Sequence, residues 1–217
     1  MGNYLITGAA GGIGRAIAEK FLGEGHRVFG FDLRESSLEN PAYRHYCRDI
    51  CAEEGPSPEE TPEILISCAG TIEEEKAIDV NLRGTIRFAQ CYAESPGLRS
   101  ILFIASASAR NGAEFPQYVA SKAGLVGYMK NLALSVSKRG ITCNSISPGG
   151  VITDMNRHIL EDEKLYAAVL AETLLGKWAR PEEIADLAYY LTVVNRSITG
   201  EDILIDNGEM LKSNFIW

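Results

Sequence analysis

The pair Tyr118 and Lys122, four positions apart, is the part of this chain best suited to proton transfer. If the segment is helical, that spacing places both side chains on one face. A phenol has a pKa of about 10 and is a poor acid or base at neutral pH, but a neighbouring ammonium lowers that pKa by favouring the phenolate. The pair therefore predicts a tyrosine that exchanges a proton with a substrate. The same spacing is also typical of a half-buried tyrosine beside a solvated lysine.

A glycine-rich turn near the start of the chain predicts a phosphate site. Residues Thr7 to Gly14 follow a short apolar run and precede an apolar pattern with helical spacing. Gly8 and Gly12 leave room for close backbone approach, and Gly14 lets the helix pack against the strand. The unpaired N–H groups and the positive dipole end of such a helix attract a pyrophosphate. Plain packing between strand and helix is the alternative for this turn.

A carboxylate lies where a dinucleotide site needs one. Asp32 ends the strand-like run that starts at Arg27, about 20 residues beyond the glycines. An acid at that place binds the adenosine ribose hydroxyls and repels a 2′-phosphate, so it favours NAD over NADP. Arg34 opposes this preference, because its cation can pair with a 2′-phosphate. Asp32 is also a residue type that commonly begins turns.

With these features in this order, the sequence resembles the short-chain dehydrogenase/reductase family over nearly all of its 217 residues. The resemblance also rests on segments that match further family motifs, namely Asp49-Ile50, Asp79-Val80-Asn81-Leu82-Arg83-Gly84, the Pro-Gly segment within 144–153, Arg180-Pro181-Glu182-Glu183-Ile184-Ala185, Thr199-Gly200 and 206–208. An ordered set of this kind is far more specific than any one of its motifs.

The resemblance implies a catalytic tetrad of Asn81, Ser106, Tyr118 and Lys122. Tyr118 would give or take the proton, and Ser106 would hold the substrate oxygen. Lys122 would lower the tyrosine pKa and bind the nicotinamide ribose, and Asn81 would hold a water that carries the proton to solvent. Ser108 is an alternative to Ser106, because both serines lie in the same short segment.

The resemblance implies NAD(P) as the cofactor, with NAD preferred because of Asp32. Asp49 would contact adenine, the Val151 main chain would contact the nicotinamide amide, and Thr153 would contact the carboxamide or the pyrophosphate. The cofactor-binding residues implied are Gly8, Gly12, Ile13, Gly14, Asp32, Asp49, Ile50, Ala69, Gly70, Tyr118, Lys122, Pro148, Gly149, Val151 and Thr153.

The activity implied is hydride transfer between NAD(P) and a secondary alcohol or ketone, including a 3-oxoacyl group, with Tyr118 as general acid and base. The resemblance further implies a homodimer or homotetramer, paired through helices that start near Lys76 and Gln117. A catalytically silent NAD-binding or regulatory module is the alternative. A nucleotide-sugar epimerase would use a similar Tyr and Lys, but the short C-terminal part leaves little room for a nucleotide sugar.

Two segments depart from the family pattern. Ser67-Cys68-Ala69-Gly70 replaces the usual Asn-Asn-Ala-Gly, which removes two amides that help to brace the sheet. Cys68 is expected to be a small buried hydrophobe. Asp206-Asn207-Gly208-Glu209 replaces a final Asp-Gly-Gly, and this change is expected to affect C-terminal packing and not the reacting centre.

Apolar runs that alternate with helical stretches predict an α/β fold, a Rossmann-type doubly wound parallel sheet of about seven strands flanked by helices. The strands are expected near residues 3–7, 27–32, 43–48, 63–67, 99–105, 141–146 and 202–206. The interval Cys51–Pro62 contains three prolines, which disfavour a helix and predict a shortened crossover after the third strand.

A segment at 154–177 is predicted to be the substrate lid. It offers apolar side chains at helical spacing, among them Met155, Ile159 and Leu165. Such spacing favours core residues, and the alternative is a pocket for an apolar or cyclic alcohol, ketone or acyl chain.

Length and composition fit a single domain over residues 1–217, which the resemblance implies to be an NAD(P)-binding Rossmann-fold domain. Hydrophobic residues make up 46% of the chain, enough for one substantial core. The net charge of −8 disfavours a non-specific grip on nucleic acid, which relies on Lys and Arg. No apolar run approaches the roughly 20 residues of a membrane span, and the start of the chain lacks a secretory signal. A cytoplasmic small-molecule enzyme is therefore expected, with no membrane partner.

The cysteines and histidines predict no metal site. The 5 cysteines are scattered, without a close pair or a Cys/His spacing typical of zinc ligands, so reduced thiols are expected. His26, His45 and His158 form no recognisable constellation.

Overall fold

The computed structural model describes residues 2–52, 61–113 and 115–212. Within them, seven parallel strands form one sheet in the order β3-β2-β1-β4-β5-β6-β7. The strands are β1 Asn3–Thr7, β2 Arg27–Asp32, β3 Tyr43–Cys47, β4 Ile64–Ser67, β5 Ser100–Ile104, β6 Thr142–Pro148 and β7 Asp202–Ile205. The predicted doubly wound α/β fold is confirmed.

Helices cover both faces of the sheet, which explains why its inner strands are apolar on both sides. The helices are α1 Gly12–Gly23, α2 Glu74–Ala77, α3 Thr85–Ala93, α4 Ser108–Asn111, α5 Pro116–Val136, α6 Arg157–Leu160, α7 Glu163–Ala171 and α8 Pro181–Tyr189. Two π-helical segments, Ile78–Gly84 and Tyr190–Val194, and three 3₁₀ segments, Ser137–Arg139, Asp154–Asn156 and Glu209–Leu211, complete the described elements.

The core has two layers, one on each face of the sheet. Because side chains alternate along a strand, Ile64 and Ile66 join the layer beneath α1 and α8, whereas Leu65 joins the layer beneath α3 and α5. All three side chains are fully buried. Burial of each such side chain contributes about 1.5–3 kcal/mol to stability, so the two layers hold the strands rigidly in register.

The strand order reverses at β1, which lies between β2 and β4. In doubly wound sheets, ligands bind at the carboxyl ends of the strands that flank such a reversal. Thr7 and Ser67 are paired in register at the ends of β1 and β4. The segments that follow them, the glycine turn and Cys68-Ala69-Gly70, therefore meet at one edge of the sheet.

The predicted shortened crossover falls largely on residues 53–60, which lie outside the described part of the chain. The described flanks, residues 48–52 and 61–63, contain no helix.

Candidate active site

The glycine turn after β1 has the shape of a phosphate cradle. Gly8 and Gly12 adopt φ angles of 71° and 52°, the left-handed region that favours glycine. Helix α1 starts at Gly12, and Gly11 offers no side chain to cap its first N–H groups. A Cβ atom on Gly14 would lie 2.2 Å from the carbonyl oxygen of Gly8. Only glycine at position 14 allows this close packing, and the uncapped helix end fits an anionic group.

Asp32 lies beside this turn, at the end of β2. Its Oδ2 accepts a hydrogen bond from the Ala10 N–H at 3.0 Å, and its Oδ1 accepts one from the Arg34 N–H at 3.0 Å. The Arg34 guanidinium lies over the turn, since a Cβ on Gly11 would be 2.8 Å from Arg34 Nη2. The structure thus brings both residues that the sequence linked to the adenosine ribose to one place.

Thr7 connects the end of β1 to the segment that follows β4. Its Oγ1 accepts hydrogen bonds from the Cys68 and Ala69 N–H groups, both at 3.0 Å. A Cβ on Gly8 would lie 2.9 Å from the Ala69 nitrogen, so the two turns are in close contact. The predicted cofactor residues Gly8 and Ala69 therefore lie against each other at the edge of the sheet.

Asn81 is fully buried in the π-helical segment Ile78–Gly84. Its Oδ1 accepts a hydrogen bond from the Thr71 N–H at 2.8 Å, and its Nδ2 donates to the Thr71 carbonyl at 2.9 Å and to Ser121 Oγ at 3.1 Å. A Cβ on Gly70 would lie 3.1 Å from Asn81 Oδ1 and 3.4 Å from Lys122 Nζ. Short π-helical segments are frequent at functional sites, and this one places Asn81 beside the tyrosine–lysine pair.

Tyr118 and Lys122 lie on the first turns of α5, which begins with Pro116. The side chains are 9% and 5% exposed, and Lys122 Nζ lies 5.8 Å from the centroid of the Tyr118 ring. Nζ donates a hydrogen bond to the Ile104 carbonyl at 2.9 Å. Burial of an ammonium is costly without such a partner, so the end of β5 holds this cation beside the phenol.

Ser106 and Ser108 are both buried just beyond β5. Ser108 donates to Ser106 Oγ from its N–H at 3.2 Å and from its Oγ at 2.9 Å. The two candidates for the tetrad serine are therefore in direct contact, with Ser106 as the acceptor in both bonds.

The Pro-Gly segment passes the same edge of the sheet after β6. Ala107 N–H donates to the Pro148 carbonyl at 2.8 Å, and Val151 pairs with Ala179. The Thr153 side chain would be 3.5 Å from a Cβ on Gly12. Thr153 is thus next to the glycine turn.

The remaining predicted cofactor residues lie at the rim. Asp49 follows β3, is exposed, and accepts a hydrogen bond from the Cys51 N–H at 2.8 Å. Ile50 and Ile13 are partly buried and pack against the two core layers, one on each face of the sheet.

Two family models match the chain. One, described as enoyl-(acyl carrier protein) reductase, matches residues 70–209. The other, described as the NAD dependent epimerase/dehydratase family, matches residues 4–123 and so ends directly after Lys122.

Curated relatives align over almost the whole chain. The (3R)-3-hydroxyacyl-CoA dehydrogenase of Rattus norvegicus is 29% identical, with 94% of each chain covered. The 3-oxoacyl-[acyl-carrier-protein] reductase FabG of Salmonella typhimurium is 30% identical, with 94% of this chain and 95% of the relative covered. The chain belongs to the short-chain dehydrogenase/reductase family.

Solved structures agree with membership of the short-chain dehydrogenase/reductase family. A 4-hydroxyisoleucine dehydrogenase complexed with NADH superposes with a TM-score of 0.87 at 27% identity, covering 98% of this chain and 100% of that chain. Aldohexose dehydrogenase of Thermoplasma acidophilum superposes with a TM-score of 0.86 at 25% identity, covering 100% of this chain and 96% of that chain. The protein is accordingly an NAD(P)-dependent short-chain oxidoreductase for hydroxyl or oxo groups.

At the departure from the family pattern, this short-chain dehydrogenase/reductase has a polar atom without a partner in the part of the chain that the structure describes. Ser67 Oγ is buried without a hydrogen-bond partner in the described residues. Burial raises the pKa of the neighbouring Cys68 thiol to about 12, and the side chain packs against the core as a small hydrophobe. The two Thr7 hydrogen bonds to the backbone brace this segment.

The expectation that the lid residues are core residues is wrong. No residue of α6 or α7 is buried, and Met155 and Leu165 are 45% and 41% exposed. Helical spacing of apolar residues predicts an amphipathic helix, but it does not reveal what covers the apolar face. In this short-chain dehydrogenase/reductase that face is only partly covered: Tyr166 packs edge-on against Trp178, with ring centroids 5.8 Å apart, and Val169 and Leu170 are half-buried.

Sequence reasoning missed several residues that complete the site. Ser121 links Asn81 to the Tyr118 carbonyl, to which its Oγ donates at 2.7 Å. Its position three residues after Tyr118, on the same helical face, could have revealed it. No sequence signal points to the Thr71 main chain or the Ile104 carbonyl, because main-chain partners do not depend on residue type.

Arg110 and Asp202 were also missed. Arg110 Nε lies 2.8 Å from Asp202 Oδ2, and Asp202 Oδ1 accepts from Ser145 Oγ at 2.7 Å and Ser147 Oγ at 2.8 Å. These bonds tie α4, and with it the end of the serine segment, to β6 and β7.

The described residues contain no helix long and apolar enough to cross a membrane. In the same part of the chain, no three His, Cys, Asp or Glu side chains are grouped so that they could hold a metal ion.

Proposed function

We propose that the protein interconverts 3-hydroxyacyl and 3-oxoacyl thioesters, a secondary alcohol and its ketone, with NAD as the preferred cofactor. The observation that carries the chemistry is the buried Lys122 cation beside Tyr118, with Ser106 and Asn81 at the same edge of the sheet. The substrate class is supported by the two acyl-thioester relatives, which align over almost the whole chain. When bound, the cofactor supplies or accepts the hydride at the substrate carbon.

Tyr118 gives or takes the proton on the substrate oxygen in this proposal. The Lys122 ammonium stabilises the phenolate form of Tyr118 electrostatically, because the cation is buried and held by the Ile104 carbonyl. Proton exchange therefore takes place at the Tyr118 oxygen with a cation already in position.

Ser106, and not Ser108, is proposed to hold the substrate oxygen. A hydroxyl has two acceptor sites and one hydrogen to donate. Ser108 uses its hydrogen on Ser106, whereas Ser106 accepts both bonds and keeps its own hydrogen for a substrate oxygen.

Asn81 is proposed to hold the water that leads the proton to solvent. Its Nδ2 makes hydrogen bonds to Thr71 and Ser121, so Oδ1, which already accepts from the Thr71 N–H, is the side-chain atom with acceptor capacity left. We place the water at Oδ1 or at the Asn81 main chain.

The cofactor-binding roles follow from the cradle. The uncapped N–H groups of α1 would bind the pyrophosphate, Asp32 the adenosine ribose hydroxyls, Asp49 and Ile50 the adenine, and the 148–153 segment the nicotinamide half. Glycine at positions 8 and 14 lets the turn pack tightly against the Ala69 segment and against α1, because a Cβ at either position would fall on main-chain atoms.

The substrate proposal predicts a selectivity that can be measured. NADH oxidation should be faster with acetoacetyl-CoA than with cyclohexanone or an aldose, by about tenfold or more in kcat/KM, because acyl and thioester contacts add binding energy in the transition state. The measurement is the decrease of NADH absorbance with each compound at matched concentrations. Equal or faster turnover of the aldose would contradict the acyl-thioester assignment.

The cofactor proposal predicts that Asp32→Asn shifts the ratio of NADH to NADPH affinity by about tenfold, or 1.4 kcal/mol, towards NADPH. Asparagine keeps an acceptor for the Ala10 N–H and removes the charge that repels a 2′-phosphate. Arg34→Ala should shift the ratio in the opposite direction, because it should weaken NADPH binding more than NADH binding. Calorimetric titration with each nucleotide measures both effects.

The control for this prediction is Asp186→Ala, since Asp186 is an exposed carboxylate paired with Lys20 on the outer surface. In Asp186→Ala, the ratio of NADH to NADPH affinity should equal that of the unmodified protein. Equal effects of Asp32→Asn on the two nucleotides would refute the ribose role.

The 154–177 segment is proposed to close over the substrate. Its helices α6 and α7 bury none of their residues, and Met155 and Leu165 offer exposed apolar surface that an acyl chain could cover. This lid forms part of the one domain proposed for residues 1–217.

The assembly is proposed to be a homodimer or homotetramer paired through α5 and the helix that contains Lys76. The outer face of α5 exposes small and apolar residues, Ala120, Ala123, Gly127 and Leu134, the last 77% exposed. Light scattering that returned a monomer mass of 23.7 kDa would contradict this assembly.

All five cysteines are free thiols, which supports a reducing, cytoplasmic location.

A further inference from the structure

The turn after β7 places a carboxylate against the Pro-Gly segment. Asp206 Oδ1 accepts from the Gly208 N–H at 3.0 Å, and its Oδ2 accepts from the Met210 N–H at 2.8 Å. Asn207 and Gly208 adopt φ angles of 56° and 83°, so the chain reverses sharply here. These bonds hold Glu209, the residue between the two N–H groups, in a defined direction.

The Gly150 N–H lies close enough to the Glu209 carboxylate to lower the pKa of that group. Its Oε2 would be 2.9 Å from a Cβ on Gly149, so the carboxylate lies against the Gly149 end of this peptide segment. Burial raises the pKa of this carboxyl, and the nearby charges of Asp206 and Glu172 act in the same direction, whereas the Gly150 N–H opposes them. A partly buried carboxylate beside two other acids is unfavourable unless it has such a partner.

Main-chain hydrogen bonds and the Trp178 ring also hold the Gly149–Gly150 segment in place. The Gly150 carbonyl accepts from the Ala179 N–H at 3.0 Å, and the Gly149 N–H donates to the Ile205 carbonyl at 3.1 Å. The Trp178 ring covers Gly150 so closely that a Cβ there would be 2.2 Å from it. Val151 follows directly and carries the main-chain groups assigned to the nicotinamide amide.

We propose that Glu209 is a positioning residue for the nicotinamide half of the cofactor. By accepting the Gly150 N–H, it orients the Gly149–Val151 backbone so that the Val151 main chain faces the carboxamide. The inference rests on the proposed function, because it requires NAD to bind in the cradle. It concerns only the nicotinamide end, since Glu209 lies against the 149–150 peptide and not against the glycine turn.

The test compares NADH with ADP-ribose, which lacks the nicotinamide but keeps the adenosine and pyrophosphate. Glu209→Ala should weaken NADH binding about tenfold and change ADP-ribose binding by less than about twofold. Glu209→Gln keeps a carbonyl acceptor for the Gly150 N–H and should restore NADH binding to within about twofold of the unmodified protein. Calorimetric titration with both ligands measures these effects.

Two further variants complete the design. Glu209→Leu keeps the side-chain volume without an acceptor and should reproduce the NADH-specific loss even if Glu209→Ala does not fold. Asp186→Ala removes an exposed acid on the outer surface and should bind both ligands normally.

The outcomes separate the inference from the function on which it rests. Equal losses for NADH and ADP-ribose, or unchanged NADH binding in Glu209→Leu, would overturn the positioning role while leaving the proposed function intact. Failure of the unmodified protein to bind either ligand would overturn the proposed function and this inference with it.

Discussion

Tyr118→Phe should lower kcat by about a hundredfold or more and leave NADH binding within about twofold. Phenylalanine keeps the ring, which is 9% exposed and lies 5.8 Å from Lys122 Nζ, so the local packing and the cation stay in place. Only the hydroxyl that exchanges the proton is lost. Steady-state kinetics with acetoacetyl-CoA and calorimetric titration with NADH measure the two quantities separately.

Tyr128→Phe is the matched control on the same helix. The Tyr128 hydroxyl is buried without a hydrogen-bond partner in the described residues, and burial raises its pKa to about 12. Removal of this hydroxyl should leave kcat unchanged. Full turnover in Tyr118→Phe would refute the general acid–base role of Tyr118. An equal loss of kcat in Tyr128→Phe would show that the loss in Tyr118→Phe reflects a structural need for tyrosine hydroxyls on α5 and not proton transfer. Retained NADH binding without turnover in the unmodified protein would instead favour the silent NAD-binding module.

Gly14→Ala should abolish measurable NADH binding and lower the melting temperature. The added Cβ would lie 2.2 Å from the carbonyl oxygen and 2.7 Å from the carbonyl carbon of Gly8. Both are main-chain atoms of the phosphate cradle, so relief of the clash must displace the turn itself. Overpacking of this kind typically costs about 1–3 kcal/mol of stability. Calorimetric titration and thermal denaturation measure the loss of binding and of stability.

Gly23→Ala provides the control in the same helix. No heavy atom lies within 4 Å of a Cβ at that position, and Gly23 is exposed. Alanine there should preserve NADH binding and leave the free energy of unfolding unchanged to within about 0.5 kcal/mol, because Gly23 is the exposed last residue of α1. NADH binding by Gly14→Ala as tight as that of Gly23→Ala would contradict the steric argument for the cradle.

The strands were predictable because each contains a short apolar run. The exact strand ends were not, because a strand can continue beyond its apolar residues. The predicted sixth strand ended at residue 146, where serine and proline interrupt the apolar run, but β6 continues to Pro148. Ser147 is fully buried in it because Asp202 on β7 accepts its hydroxyl at 2.8 Å. A polar residue can thus extend a buried strand when a distant partner satisfies it.

The lid shows the opposite failure, an apolar pattern that does not mean burial. Leu165 and Met155 follow helical spacing as core residues do, yet α6 and α7 bury no residue. Periodicity reports which side chains share a face, and it contains no information about whether another element packs there.

The sequence by itself determined the strands, the glycine turn, the tyrosine–lysine pair and the family. The first three depend on backbone geometry or side-chain spacing within a few residues, so a short window contains the whole signal. The family depends on the order of several motifs along nearly the whole chain. Only the tertiary structure decided which groups contact the predicted residues: the Ile104 carbonyl for Lys122, and Thr71 and Ser121 for Asn81. These contacts join residues distant in the chain, and most use main-chain atoms that every residue carries. They follow from the order and register of the complete sheet, which no local pattern specifies.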